Sequence, residues 1–153
     1  MLLDLLMPRR CVSCARLGED LCAGCRAALP LLLGTHCARC GAPTAWPVLR
    51  CRECSGRRIA FASARAAVAY EHSVPAVVAA WKERGLRHLA ALAADVVRES
   101  VPRPGADAIA FVPPDGDRSV RRGHHPAERL AHELGRRWEL PVPISRRSSS
   151  PAT

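Results

Sequence analysis

Apolar positions along the chain follow two rhythms. Val74–Arg84 sets Val77, Val78 and Trp81 at helical spacing, and Gly85 marks a stop. Leu86–Val97 repeats the pattern with Leu86, Leu89, Leu92, Val96 and Val97, and Ala127–Trp138 does so with Leu130, Leu134 and Trp138. Three amphipathic helices are therefore predicted. Met1–Met7, MLLDLLM, adds a short N-terminal helix that packs Leu2, Leu3, Leu5 and Leu6 on the body. Ala64–Tyr70 (ARAAVAY) and Asp107–Val112 (DAIAFV) read as strands, the second nearly all apolar, as in a strand buried on both faces of a parallel sheet. Leu140–Ile144 begins a third strand. The order strand–helix–helix–strand–helix–strand is that of an α/β domain. Such a sheet commonly has about five or six strands, so this one is incomplete.

Before residue 59 the pattern is different. All eight cysteines lie in the first 54 residues as four C-x-x-C pairs: Cys11/Cys14, Cys22/Cys25, Cys37/Cys40 and Cys51/Cys54. Two intervening residues let a tight turn aim two thiolates at one ion, and two such turns complete a closed tetrahedral site. Two structural zinc ions are the expectation, with metal binding supplying much of the folding energy that so few large apolar residues cannot. A disulfide framework fits poorly, because no secretory segment precedes the cysteines and the C-x-x-C pattern is wrong for it. An iron–sulfur cluster uses the same donors and stays open as an alternative. Sequential pairing of neighbouring turns is preferred over an interleaved cross-brace because it closes shorter loops. Gly41, just after Cys40, suits a turn that needs positive φ.

Charge adds a second theme. The chain carries 23 basic residues against 14 acidic ones, a formal net charge of +9. That excess suits phosphate-bearing partners. The excess is spread along the chain, but in Phe111–Ala131, FVPPDGDRSVRRGHHPAERLA, where the second strand ends, three arginines crowd a glycine. Ligands of open α/β sheets sit beyond the carboxyl ends of strands. Arg118, Arg121 and Arg122 offer forked donors, Gly123 permits close backbone approach, and Pro126 at a first helical position leaves the next amides free. On residues alone, phosphate binding and a solvated basic loop stand level here. The His124–His125 pair reads as a solvated loop pair rather than a metal or pH device. No apolar run reaches the roughly 18 residues that span a bilayer, and a cytoplasmic protein without a membrane span is expected.

The succession of a cysteine module, then A-Y-E (Ala69–Glu71), W-K-x-R-G (Trp81–Gly85), V-P-P, R-x-x-x-R-G (Arg118–Gly123) and A-E-x-L-A (Ala127–Ala131) resembles the competence protein F (ComF) family. The resemblance runs from Leu3 to about Pro143. It implies a small zinc-ribbon module at residues 1–56 and the N-terminal part of a type I phosphoribosyltransferase-like α/β domain at 59–145, followed by a disordered tail at 146–153. It also implies an association with DNA uptake and competence, and binding of phosphoribosyl pyrophosphate with magnesium. By the resemblance Pro113–Gly123 corresponds to the diphosphate loop, with Arg118, Arg121, Arg122 and Gly123 as its contacts and Lys82 near the active-site mouth. Two features depart from the family. Arg122-Gly123 continues into His124-His125-Pro126 instead of an aromatic, Asn and Gln, and the acidic-pair ribose-phosphate loop has no counterpart, so the domain reads as C-terminally truncated. A chain that cannot orient the sugar is not expected to act as a transferase alone. The alternative is a zinc-dependent module binding single-stranded DNA or competence proteins.

Overall fold

The computed structural model describes residues 8–113 and 124–143. The chain divides into two compact units. The first comprises Met1–Val78 with Glu99–Pro102, and the second Ala79–Arg98 with Arg103–Thr153. Four helices are described: α1 (Ala23–Ala27), α2 (Val74–Lys82), α3 (Leu89–Ser100) and α4 (Pro126–Trp138). The last three are the helices that the apolar rhythm predicts, displaced by up to three residues. Leu86 and Arg87 fall in a turn instead of opening α3, because Gly85 at φ +72° reverses the chain and the Arg87 N–H bonds the Gly85 carbonyl at 2.7 Å. No described helix is long and apolar enough to cross a membrane.

Among the described residues of the first unit the buried hydrophobic side chains are few: Cys11, Leu21, Cys37, Cys54 and Val74. Two antiparallel bridges, Arg10 with Leu17 and His36 with Pro43, close two small hairpins. The predicted strand Ala64–Tyr70 is reduced to one bridge between Val68 and Leu31, flanked by Leu32 N–H to Ala67 C=O and Ala69 N–H to Pro30 C=O, each 2.9 Å. It therefore folds with the cysteine-bearing segment. α1 carries Cys25 and Arg26, and Arg26 reaches Glu99 at 2.5 Å. No apolar period announced this five-residue helix.

The second unit is built on Ala80, Trp81, Leu89, Ala90, Ala94, Val96, Ala131 and Leu140. Among the described residues no strand forms here. Asp107–Val112 and residues 140–143 carry no regular structure and share the bond from Ile109 N–H to Pro141 C=O, 2.9 Å. An α/β sheet is thus not what the described residues display, since a ladder needs successive pairings and these two segments make one. The His124–His125 expectation is corrected as well. His124 is buried and its Nε2 donates to the Trp81 carbonyl at 3.1 Å. His125 is the N-cap of α4, its Nδ1 accepting from the Glu128 N–H at 3.0 Å, with Pro126 at the first helical position. Neither ring is free in solvent.

Arg137 ties α4 to α3. Its Nε donates to Asp95 at 2.7 Å, Nη1 to Glu133 at 2.6 Å and Nη2 to the Ala91 carbonyl at 3.0 Å. Burial pushes the Glu133 carboxyl up, but the Arg136 and Arg137 hydrogen bonds outweigh it and hold the group below its ordinary 4.5. A depressed folded pKa gives stability that is complete above 4.5 and fades as pH falls through the lowered value. Acid titration followed by helical circular dichroism is expected to show this loss, and Glu133→Gln to flatten that limb. Arg137→Ala is expected to cost about 2 kcal/mol, since its hydrogen bonds are charge-assisted and half-buried.

Candidate metal centres

Each cysteine cluster begins with the same local device. After Cys11 the chain turns so that the Ala15 N–H bonds the Cys11 carbonyl at 2.8 Å and the Cys11 N–H bonds the Arg16 carbonyl at 2.8 Å. Twenty-six residues on, the Gly41 N–H bonds the Cys37 carbonyl at 3.0 Å and the Cys37 N–H bonds the Ala42 carbonyl at 2.8 Å. The residue after the second cysteine of each turn has positive φ, +60° at Ala15 and +75° at Gly41. The two hairpins are one repeated motif. Each then receives a second pair: Cys22 and Cys25 at and within the start of α1, and Cys51 and Cys54 in a turn. The incoming Cys22 N–H reaches Cys11 Sγ at 3.5 Å, and the Cys51 N–H reaches Cys37 Sγ at 3.2 Å.

The sulfurs gather in sequence order. Cys11, Cys14, Cys22 and Cys25 form one group and Cys37, Cys40, Cys51 and Cys54 the other, with all Sγ atoms of a group within 4.8 Å of one another. The interleaved cross-brace is not the arrangement adopted. Zinc bonds thiolate at about 2.3 Å, and a regular tetrahedron of that radius has edges of about 3.8 Å. Measured separations are 3.7 Å for Cys14–Cys22, 3.6 Å for Cys37–Cys54, 3.5 Å for Cys40–Cys51 and 3.9 Å for Cys51–Cys54. The four-sulfur donor sets therefore fit zinc, with no position left for a substrate. What a bound ion supplies at each centre is cross-linking of two chain segments through four sulfurs and neutralisation of their charge.

The thiols respond to one another. Burial raises Cys11, yet N–H groups of Cys22, Cys14 and Ser13 bring it down to about 6. For Cys37 the N–H of Cys40 leads, against burial, and the group falls to about 6. Burial and the neighbouring Cys37 sulfur push Cys54 up to about 12. Four sulfurs in one nest cannot all carry charge unaided, and a divalent cation removes that conflict by displacing the protons.

Sequence reasoning missed the groups that hold the second turn in place. Arg39 Nη1 donates to the Ala62 carbonyl at 3.0 Å and Nη2 to the Ile59 carbonyl at 2.7 Å. The Ala64 N–H returns to the Arg39 carbonyl at 3.0 Å, and Arg65 Nη1 reaches the Ala38 carbonyl at 3.2 Å. Nothing in the sequence distinguishes Arg39 and Arg65 from 20 other arginines. Of the proposed phosphate contacts, Lys82 is exposed in the last turn of α2. Arg118, Arg121, Arg122 and Gly123 lie outside the described residues.

Comparison with known families agrees with this geometry. Residues 2–55 match the model of the double zinc ribbon domain. No curated protein and no solved structure matches the chain. The N-terminal third is thus a double zinc ribbon with two four-cysteine sites.

Proposed function

We propose that the double ribbon is a zinc-held binding module for a phosphate-rich partner, nucleic acid above all. The observation that carries this reading is a concavity of about 580 Å³ lined by Arg50, Arg57 and Arg58 together with Gly56, Ile59 and Ala60. All three arginines are exposed, and forked guanidinium donors match phosphate oxygens. Trp46 and Leu49, exposed at 69% and 85%, give the same ribbon apolar surface against which a base can rest. The two metal ions fix the backbone from which these side chains project, so binding depends on zinc without contacting it.

Fluorescence anisotropy of the zinc-loaded full chain with a short single-stranded oligonucleotide tests this. Affinity is expected to fall with salt, and replacing Arg50, Arg57 and Arg58 by Ala is expected to lower the logarithmic salt slope by about 2, near 0.7 per phosphate contact on a single strand. A slope that stays the same in the triple variant removes the assignment.

A second reading draws on the unit that follows. The bond joining Ile109 to Pro141 brackets the segment 110–140, which includes α4, and His125 and Pro126 open that helix. This pairing of two segments around α4 is what supports a frame like that of phosphoribosyltransferase-like domains of the ComF family. In it Arg118, Arg121, Arg122, Gly123 and Lys82 bind the diphosphate of phosphoribosyl pyrophosphate beside magnesium, in a role tied to DNA uptake in the cytoplasm. Binding alone is proposed for this chain, with no transfer step. Saturable calorimetric binding of phosphoribosyl pyrophosphate that Arg122→Ala abolishes is the expected result, and no binding by folded protein rejects it.

A further inference from the structure

The two metal centres share one backbone motif but not one environment. In the second cluster Cys37 and Cys54 are sealed, at 0% and 2% exposure, and Cys40 and Cys51 are half-buried. In the first, only Cys11 is buried, Cys22 and Cys25 are half-buried and Cys14 is exposed. Bracing differs in the same direction. Residues 59–65 lie across the second turn through the Arg39, Ala64 and Arg65 hydrogen bonds. The side-chain bonds described for the first turn are local and longer, Arg10 Nη1 to the Ala15 carbonyl at 3.3 Å and an Arg9–Asp20 pair at 3.7 Å, beside the backbone bond from Val12 N–H to the Asp20 carbonyl at 2.8 Å. The Arg26–Glu99 pair that tethers α1 is partly exposed, and pairs of that kind contribute little. Ala15 also carries the cost of positive φ that a glycine avoids at position 41.

From these differences we infer that the ribbon pair is a graded redox device, in which the first centre opens under peroxide while the second keeps its metal. Cys14 is the entry point because attack requires an accessible sulfur. Its Sγ attacks one oxygen of hydrogen peroxide. The O–O bond breaks, hydroxide departs and takes a proton from solvent, and a sulfenic acid remains. Cys22 Sγ, 3.7 Å away, then displaces the sulfenic oxygen as a second hydroxide, which is likewise protonated to water. Two sulfurs have each lost one electron, peroxide has become two waters, and a disulfide has replaced two of four zinc ligands. The ion, left with Cys11 and Cys25, is released.

The zinc-loaded full chain is treated with dilute hydrogen peroxide while a chromogenic chelator records zinc release and peptide mass mapping records disulfides. One zinc per chain is expected to leave in a first phase about tenfold faster than the second, the factor set by one or two net hydrogen bonds of bracing. A Cys14–Cys22 disulfide is expected to appear with that phase. Cys14→Ser is expected to hold one zinc per chain and to lack the fast phase. Arg39→Ala, which leaves every ligand in place, is expected to bring the slow phase toward the fast one. Release of both ions in a single phase, or first oxidation at Cys37, Cys40, Cys51 or Cys54, overturns the inference.

Discussion

Chelation of zinc from the full chain is expected to unfold the ribbon unit while the helices of the second unit stay folded. The argument rests on what each unit buries. In the first, three of the five buried hydrophobic side chains among the described residues are the ligands Cys11, Cys37 and Cys54, leaving Leu21 and Val74. Burying two such side chains yields about 3–6 kcal/mol. Ordering the backbone alone costs about 1–2 kcal/mol per residue, so the dozens of residues in the ribbons cannot be held by that burial. Structural zinc contributes about 10–16 kcal/mol per site at neutral pH, and its removal reverses the balance. The second unit keeps Trp81, Leu89, Ala94, Val96 and Leu140, together with the Arg137 network, none of which involves a cysteine. Amide spectra recorded before and after chelation check this. Signals of residues 10–56 should collapse to random-coil positions while those of α4 persist. Acidification should do the same, because the four thiols of each nest must lose their protons to hold the ion and regain them as pH falls. Retention of ribbon dispersion after zinc is gone would show that the apolar and hydrogen-bonded contacts suffice.

The metal clusters were legible because their information is local: two residues between cysteines fix the turn, and short loops fix which turns meet. The three longer helices were legible for the same kind of reason. Each pairs a periodic apolar face with a start or stop residue nearby, such as Gly85 or Pro126. The strands were not, since a short apolar run becomes a strand only where a partner lies alongside. Val68 found Leu31, 37 positions earlier, and Ile109 found Pro141, each in a single pairing. The His124–His125 pair was misjudged because sequence shows neighbours only in the chain. The bond from His124 to the Trp81 carbonyl spans 43 positions. The capping role of His125 had a sequence signal, namely the proline that follows it. The bracing by Arg39 and Arg65 had none.

Opposite substitutions at equivalent positions of the two turns are expected to have opposite effects, and the larger is at Gly41. A Cβ there stands 2.6 Å from the Ala64 carbonyl oxygen and 3.1 Å from its carbon. These are backbone atoms, held by the Ala64 N–H bond to Arg39, so no side chain can swing aside. Gly41→Ala therefore incurs about 1–2 kcal/mol for φ +75° and a further displacement of residues 59–65. About 3 kcal/mol in total is expected, with faster zinc loss from the second centre. Ala15→Gly removes the same strain at φ +60° in the first turn. It returns about 0.4–1 kcal/mol of that gain to the entropy of the unfolded chain, so the net stabilisation is about 0.5–1 kcal/mol. Chemical unfolding of the zinc-loaded variants measures both, and competition with a chelator assigns each change to its centre. Should Gly41→Ala prove neutral, the packing of residues 59–65 over the second turn would be too loose to protect its metal. The difference in environment between the two centres would then lose its main support.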